Sequence, residues 1–91
     1  MKNILLLGAT GSIGDSVLNV IRQNDSTLTL FGIAVGKNIK KTDGIIKEFL
    51  PKYVFVDDVM AYDDISSSNP DKNILNSDQE LLNLISDDKV D

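Results

Sequence analysis

The 91-residue chain contains no cysteine, no histidine and no tryptophan. Without cysteine there is neither a disulfide framework nor a thiolate metal site. Without histidine the commonest general base and the commonest metal ligand are both missing. A cysteine-free chain suits a reducing, cytoplasmic setting. Long apolar runs are missing too. Lys2 ahead of Ile4-Leu5-Leu6-Leu7 has the outline of a secretory leader, but the run stops at Gly8 and polar Thr10, Ser12 and Asp15 follow. A leader needs an apolar core of roughly 7–15 residues, and a bilayer span needs about 18. A soluble protein with no membrane partner is expected.

Positive charge is scarce in the second half. Residues 1–50 carry six Lys/Arg against four Asp/Glu, a balance of +2, and residues 51–91 carry three against ten, a balance of −7, which together make the net −5. No basic cluster with interleaved aromatics occurs, so nucleic acid is not an expected partner. The acidic half reads as a solvated surface. With 42% apolar residues, the chain is one small domain or a piece of a larger one, able to bury roughly 60–65% of its unfolded surface.

What is present is a regular alternation of apolar patterns. Ile4 to Leu7 is continuously apolar, as strands buried on both faces of a parallel sheet are. Ile13, Val17, Val20 and Ile21, widened by Leu18, recur at helical spacing, with Asp15, Asn19, Arg22 and Gln23 facing outward. Ser12 and Asp15 resemble a capping box at that helix start, and Asn24-Asp25-Ser26 turns the chain. Leu28 to Val35 is a second strand closed by Gly36-Lys37-Asn38. A helix from Ile39 through Ile45, Ile46, Phe49 and Leu50 follows, stopped by Pro51. Tyr53 to Val56 is a third strand. A short helix over 59–65, a Ser/Asn/Pro loop and a short strand at Ile74-Leu75 come next. Ser77 with Glu80 forms a second capping box, opening a helix whose Leu81, Leu82, Leu84 and Ile85 would face the sheet, and 87–91 is a polar end. The order predicts an α/β fold: a Rossmann-like open parallel sheet with crossover helices, incomplete, the first half of a doubly wound domain. No internal repeat is evident.

Gly8, Gly11 and Gly14 crowd the turn after the first strand. Glycine loses more backbone entropy on folding than any other residue, so three at one junction imply close approach to the main chain. In a doubly wound fold this turn receives a dinucleotide pyrophosphate on the helix N-terminus. Gly8 would permit the tight turn, Gly11 would bare the N–H groups, and Gly14 would bring helix and strand together. Thr10 and Ser12 add hydroxyl donors, and Asp15 is expected to point sideways, away from the phosphates. The G-x-x-G-x-x-G spacing is one residue wider than the common dinucleotide pattern and is used by several NADP-dependent families. The end of the second strand carries Gly36-Lys37-Asn38 and no acid. Acids there hold the ribose 2′-hydroxyl of NAD, whereas a cation suits the 2′-phosphate of NADP. Lys37 is thus expected to be a point charge on that phosphate and Asn38 an amide donor.

No catalytic constellation assembles. Four residues after Tyr53 stands Asp57, and four after Tyr62 stands Ser66, so no Tyr-x-x-x-Lys pair exists. The acid pairs Asp57-Asp58 and Asp63-Asp64 read as solvated loop residues, because a metal site needs convergence from several elements.

As a set, "ILLLGATGSIGDSVLNVI", "GIAVGKNIKK" and "FLPKYVFVDD" resemble, in order and spacing, the N-terminal region of the 1-deoxy-D-xylulose 5-phosphate reductoisomerase family. The resemblance covers Asn3 to about Asp58, weakens through Asn76 and resumes in "SDQELLNLI". It implies a longer oxidoreductase that uses NADPH and a divalent metal (Mg or Mn) to reduce and rearrange 1-deoxy-D-xylulose 5-phosphate to 2-C-methyl-D-erythritol 4-phosphate in isoprenoid synthesis. On that resemblance Thr10, Gly11, Ser12 and Ile13 contact the pyrophosphate side of the cofactor, beside the cofactor-binding turn at Gly8 read above. Gly36, Lys37 and Asn38 hold the 2′-phosphate region. The family's metal and substrate ligands belong to a central catalytic domain that nothing here matches, so residues 1–91 are expected to be an NADPH-binding fragment without activity of its own. Two other readings stand beside it: a self-standing, non-catalytic NADP-binding regulatory module, and a piece of another NADP-dependent reductase such as the aspartate-semialdehyde dehydrogenase type. In the strand order 3-2-1-4 the first strand would lack its second neighbour here. Asn3 to Leu7 would then be a bare apolar edge, and a homodimer paired through it is expected.

Overall fold

Apolar strands with no polar side need cover on both faces, and the chain supplies it by alternating strand and helix. The computed structural model describes all 91 residues: β1 (Lys2–Leu7), α1 (Ser12–Gln23), β2 (Leu28–Val35), α2 (Ile39–Phe49), β3 (Tyr53–Val56), α3 (Val59–Ser68), β4 (Asn73–Leu75) and α4 (Asp78–Ile85). The four strands are parallel and ordered β1-β2-β3-β4. Helices α1 to α3 cover one face, where Leu6, Ile33, Val35, Val54 and Val56 meet Leu18, Ile21, Ile45, Ile46, Ala61 and Ile65. Helix α4 crosses the other face, and Leu84 comes against Gly32 of β2. No helix is long and apolar enough to cross a membrane.

Strand β2 contains an irregularity that its largely apolar sequence hides. Ile4 is paired with Leu30 but Leu5 with Gly32, so Phe31 is an extra residue in the ladder. Strand side chains alternate with period two, and one extra residue swaps their faces. Leu28 and Leu30 therefore join Ile33 and Val35 on the α1–α3 side. Phe31 turns away and lies beside Tyr53, ring centroids 5.5 Å apart.

Several local expectations change. Gly11 caps α1 with no side-chain hydrogen bond, so the Ser12/Asp15 box does not form; the Asp15 carboxylate pairs instead with Lys41 of α2 at 2.8 Å. The buried stripe of α1 is Gly14, Leu18 and Ile21, whereas Ile13 is 80% exposed and Val20 is exposed too. Both sets repeat every seven residues, and the contact of Gly14 with the preceding turn selects between them. Helix α3 runs to Ser68 rather than Ile65, closed by Asn69, whose Nδ2 donates to Ile65 O and to Asp43 Oδ1 of α2. Of the four apolar residues of α4 only Leu84 is buried, while Leu82 and Ile85 are exposed, because an eight-residue helix lying on a sheet presents one narrow line of contact. The fourth strand adds outside β3, leaving β2 as the only strand beside β1. The far edge of β1 is not bare from Asn3 onward: Asp91 N–H donates to Asn3 O at 2.9 Å, Asn3 N–H donates to Asp91 Oδ2, and Asn3 Nδ2 donates to Lys89 O. The 87–91 end thus closes the first part of that edge.

Two outcomes follow from this packing. A methyl group at Gly14 would stand 2.5 Å from the Ala9 carbonyl oxygen and 2.7 Å from that of Gly8. Alanine gains about 1 kcal/mol in helix propensity, but overpacking against main chain costs up to about 3 kcal/mol. Gly14→Ala should lower the stability measured by urea unfolding by about 2 kcal/mol. Acid should destabilise the fold at two glutamates. Hydrogen bonds from Arg22 hold the Glu48 carboxyl below its ordinary range, and those from the Ser77 N–H and hydroxyl do the same for Glu80. A carboxyl depressed on folding stabilises above its unfolded pKa and loses that contribution as pH falls through the folded value. Unfolding midpoints should therefore drop as pH falls below about 4.5, and the drop should be smaller in Glu80→Gln.

Candidate nucleotide-binding site

Leu7 is paired with Ala34, so the chain leaves β1 and β2 side by side, and Gly8 and Gly36 open the two adjacent loops. A cleft of about 420 Å³ lies at this end of the sheet, bounded by Gly8, Gly36, Phe55, Asp57, Asp78 and neighbouring residues. That is the size range of small-molecule sites, and the carboxyl ends of parallel strands are where open α/β sheets bind ligands.

The first loop is built to expose main chain. Gly8 has φ +69°, a conformation that side-chain-bearing residues rarely adopt. The N–H groups of Gly8 and Ala9 both donate to Ala34 O, at 3.0 and 3.2 Å, tying the turn to β2. Gly11 N–H donates to Gly8 O, and Gly11 O accepts from Asp15. The N–H groups of Ser12, Ile13 and Gly14 have no protein acceptor. The other three helices are capped by side chains: Asn38 on Lys41 N, Asp58 on Ala61 N and Ser77 on Glu80 N. Only α1 begins without a side-chain cap, with three bare N–H groups where each of the others has two. A β-carbon at Gly11 would meet Gly8 O at an ordinary 3.5 Å, so nothing in the protein itself demands glycine there. Gly14 is the opposite case, since its packing does.

The second loop is polar and open. A β-carbon at Gly36 would meet nothing within 4 Å. Lys37 is exposed and belongs to neither of the two ion pairs, which are Arg22–Glu48 and Asp15–Lys41. Asn38 caps α2, a role the sequence did not suggest. Its Oδ1 accepts from Lys41 N–H at 3.1 Å as the α2 cap, which leaves Nδ2 with no protein partner. The hydroxyls of Thr10 and Ser12 also donate to no protein atom, and Ile13 projects into solvent at the first turn of α1. All eight residues singled out from the sequence thus sit in the two loops or the first turn of α1, at one end of the sheet. Sequence reasoning missed Asp78 of α4, which the fold carries back to the wall of the cleft that Gly8 also lines; no local signal connects positions seventy residues apart. Asp57, weighed only as a metal ligand, lies on the same wall. Both suit hydroxyl donors better than phosphate. No group of three or more acidic side chains converges, so the residues present do not fit a divalent cation.

Comparison with known proteins gives a uniform result. Residues 4–91 match the profile of the 1-deoxy-D-xylulose 5-phosphate reductoisomerase family. The reductoisomerase of Clostridium tetani is 39% identical over 95 aligned residues, covering 100% of this chain and 25% of its own length. That of Bacillus subtilis is 47% identical over 62, covering 68% and 16%. The chain thus spans a quarter or less of the curated relatives it matches. A crystal structure of DOX-P reductoisomerase in complex with NADPH, fosmidomycin and magnesium superposes with a TM-score of 0.91 at 30% identity over all of this chain and 23% of that one. The Zymomonas mobilis enzyme, in complex with NADPH, shares the fold with a TM-score of 0.79 at 24% identity over 89% of this chain and 22% of its own. The profile match over nearly every residue, on a sheet of the same form, places this chain in the 1-deoxy-D-xylulose 5-phosphate reductoisomerase family.

Proposed function

We propose that residues 1–91 are one domain, the NADPH-binding portion of a longer reductoisomerase that converts 1-deoxy-D-xylulose 5-phosphate to 2-C-methyl-D-erythritol 4-phosphate in isoprenoid synthesis. The observation that carries the reading is the uncapped start of α1, with three bare N–H groups, beside a second loop that offers an unpaired lysine. An anion at a helix N-terminus satisfies those donors and interacts favourably with the helix dipole. The pyrophosphate would lie across Gly8, Thr10, Gly11, Ser12 and Ile13, with Gly36, Lys37 and Asn38 around the 2′-phosphate. When bound, NADPH supplies the hydride. The part of this chain is to hold and orient the dinucleotide, and the reduction itself, the divalent metal and the substrate belong to the longer enzyme. The proposal includes a cytoplasmic location, where reduced nicotinamide cofactor is at hand.

A homodimer belongs to the proposal as well. Counting in twos from Asn3, a parallel strand turns the main-chain groups of Leu5 and Leu7 toward the outer edge of β1, and open edges recruit strands. Sedimentation velocity across a concentration series should show a monomer giving way to a dimer; a monomer at every concentration would overturn this part.

The cofactor reading is tested by fluorescence titration. NADPH should bind more tightly than NADH by the ~1–3 kcal/mol of charge-assisted hydrogen bonds. Lys37→Glu should abolish or reverse that preference, and an unchanged ratio removes Lys37 from the site. Gly11→Ala should leave the melting temperature nearly unchanged, since its methyl group meets only ordinary contacts. It should still weaken NADPH at least about tenfold by holding the phosphates off the amides, a loss of about 1.4 kcal/mol.

A further inference from the structure

Asp15 poses a problem for the reading just given. It stands one turn into α1, its N–H bonded to Gly11 O at 3.0 Å. A carboxylate there favours the helix dipole, but it also repels any anion seeking the same amides. The structure answers with Lys41, whose Nζ lies 2.8 Å from the Asp15 carboxylate across the gap between α1 and α2. The same lysine holds the second loop, because its N–H donates to Asn38 Oδ1 and so orients that amide. One residue is bonded to both halves of the nucleotide site.

Stability does not account for this arrangement. The two side chains are 35% and 51% exposed, and exposed ion pairs contribute little to folding. Charge at the mouth of the site does account for it. We infer that Lys41 is a positioning residue: by pairing with Asp15 it cancels a negative charge beside the α1 amides and lets a dinucleotide pyrophosphate settle there. This rests on the cofactor reading above. It differs from the part given to Lys37, which concerns the 2′-phosphate and hence the choice between NADPH and NADH. Lys41 acts on the pyrophosphate, which both dinucleotides share.

The test is a double-mutant cycle on the full chain, read as dissociation constants for NADPH and for NADH. One unbalanced charge near a phosphate, in surroundings between protein and water, changes affinity about fivefold. Lys41→Met should weaken both dinucleotides by about that factor and leave their ratio alone. Its melting temperature should move by no more than about 3 °C. Lys41→Arg should restore binding. Asp15→Asn should bind both dinucleotides at least as tightly as the unaltered chain, and adding Asp15→Asn to Lys41→Met should recover the loss to within about twofold. The Lys41→Met effect should also shrink in high salt. If the double variant stays as weak as Lys41→Met, the lysine touches phosphate directly and the inference is overturned. If Lys41→Met binds normally, it is overturned as well. Failure of the unaltered chain to bind either dinucleotide would instead overturn the cofactor reading, and this inference with it.

Discussion

The close seating of α1 on the turn before it governs the rest of the molecule. The Gly14 backbone is pressed so near the Gly8 and Ala9 carbonyls that no β-carbon fits between them. That seating fixes the helix axis over the end of β1, and the paired N–H groups of Gly8 and Ala9 fix the turn to β2. The amides of Ser12, Ile13 and Gly14 are thereby left without a protein acceptor at the carboxyl end of the strands. A side-chain cap at this helix start would satisfy them and close the site. The chain places glycine there and capping residues at the other three helix starts.

Charge is arranged around the same point. From the acidic second half, Asp57 and Asp78 line the cleft. Near the amides the one carboxylate, Asp15, is held by a cation, and the second loop keeps its own lysine unpaired. Arg22 gathers Glu48 and stacks on the Phe49 ring, 5.2 Å from its centroid, which latches α1 to α2 at the end of the sheet away from the cleft. The two helices that frame the site are therefore tied at both ends.

Much of this was legible because the signals were local. The breaks at Asn24-Asp25-Ser26 and Pro51, the Ser77/Glu80 box and the β-branched run of β3 act within a few residues of where they are read. The glycine turn was legible for the same reason, since positive φ and close approach leave few alternatives. The errors came where a decision is made at long range. The extra residue at Phe31 is invisible because every residue from Leu30 to Val35 except Gly32 is apolar and period two leaves no trace. The α1 face was misjudged because two apolar sets share a seven-residue spacing, and only contact with the turn chooses between them. The serine run of α3 has no strong helix preference of its own; buried Ile65 and the Asn69 bonds hold it. The contacts of Lys89 and Asp91 with Asn3 join opposite ends of the chain, and the Asp15–Lys41 pair spans two elements, so neither leaves a mark in any short window.

A nucleotide site here requires that an anion occupy the bare amides of α1. Amide chemical shifts of the isotope-labelled chain, followed by NMR as NADPH is added, read those groups one by one. The predicted result is a saturable change concentrated at Gly8 to Gly14 and Gly36 to Asn38. Saturation with those amides unmoved, and the changes gathered instead around Arg22, Glu48 and Phe49 at the opposite end of the sheet, would contradict it.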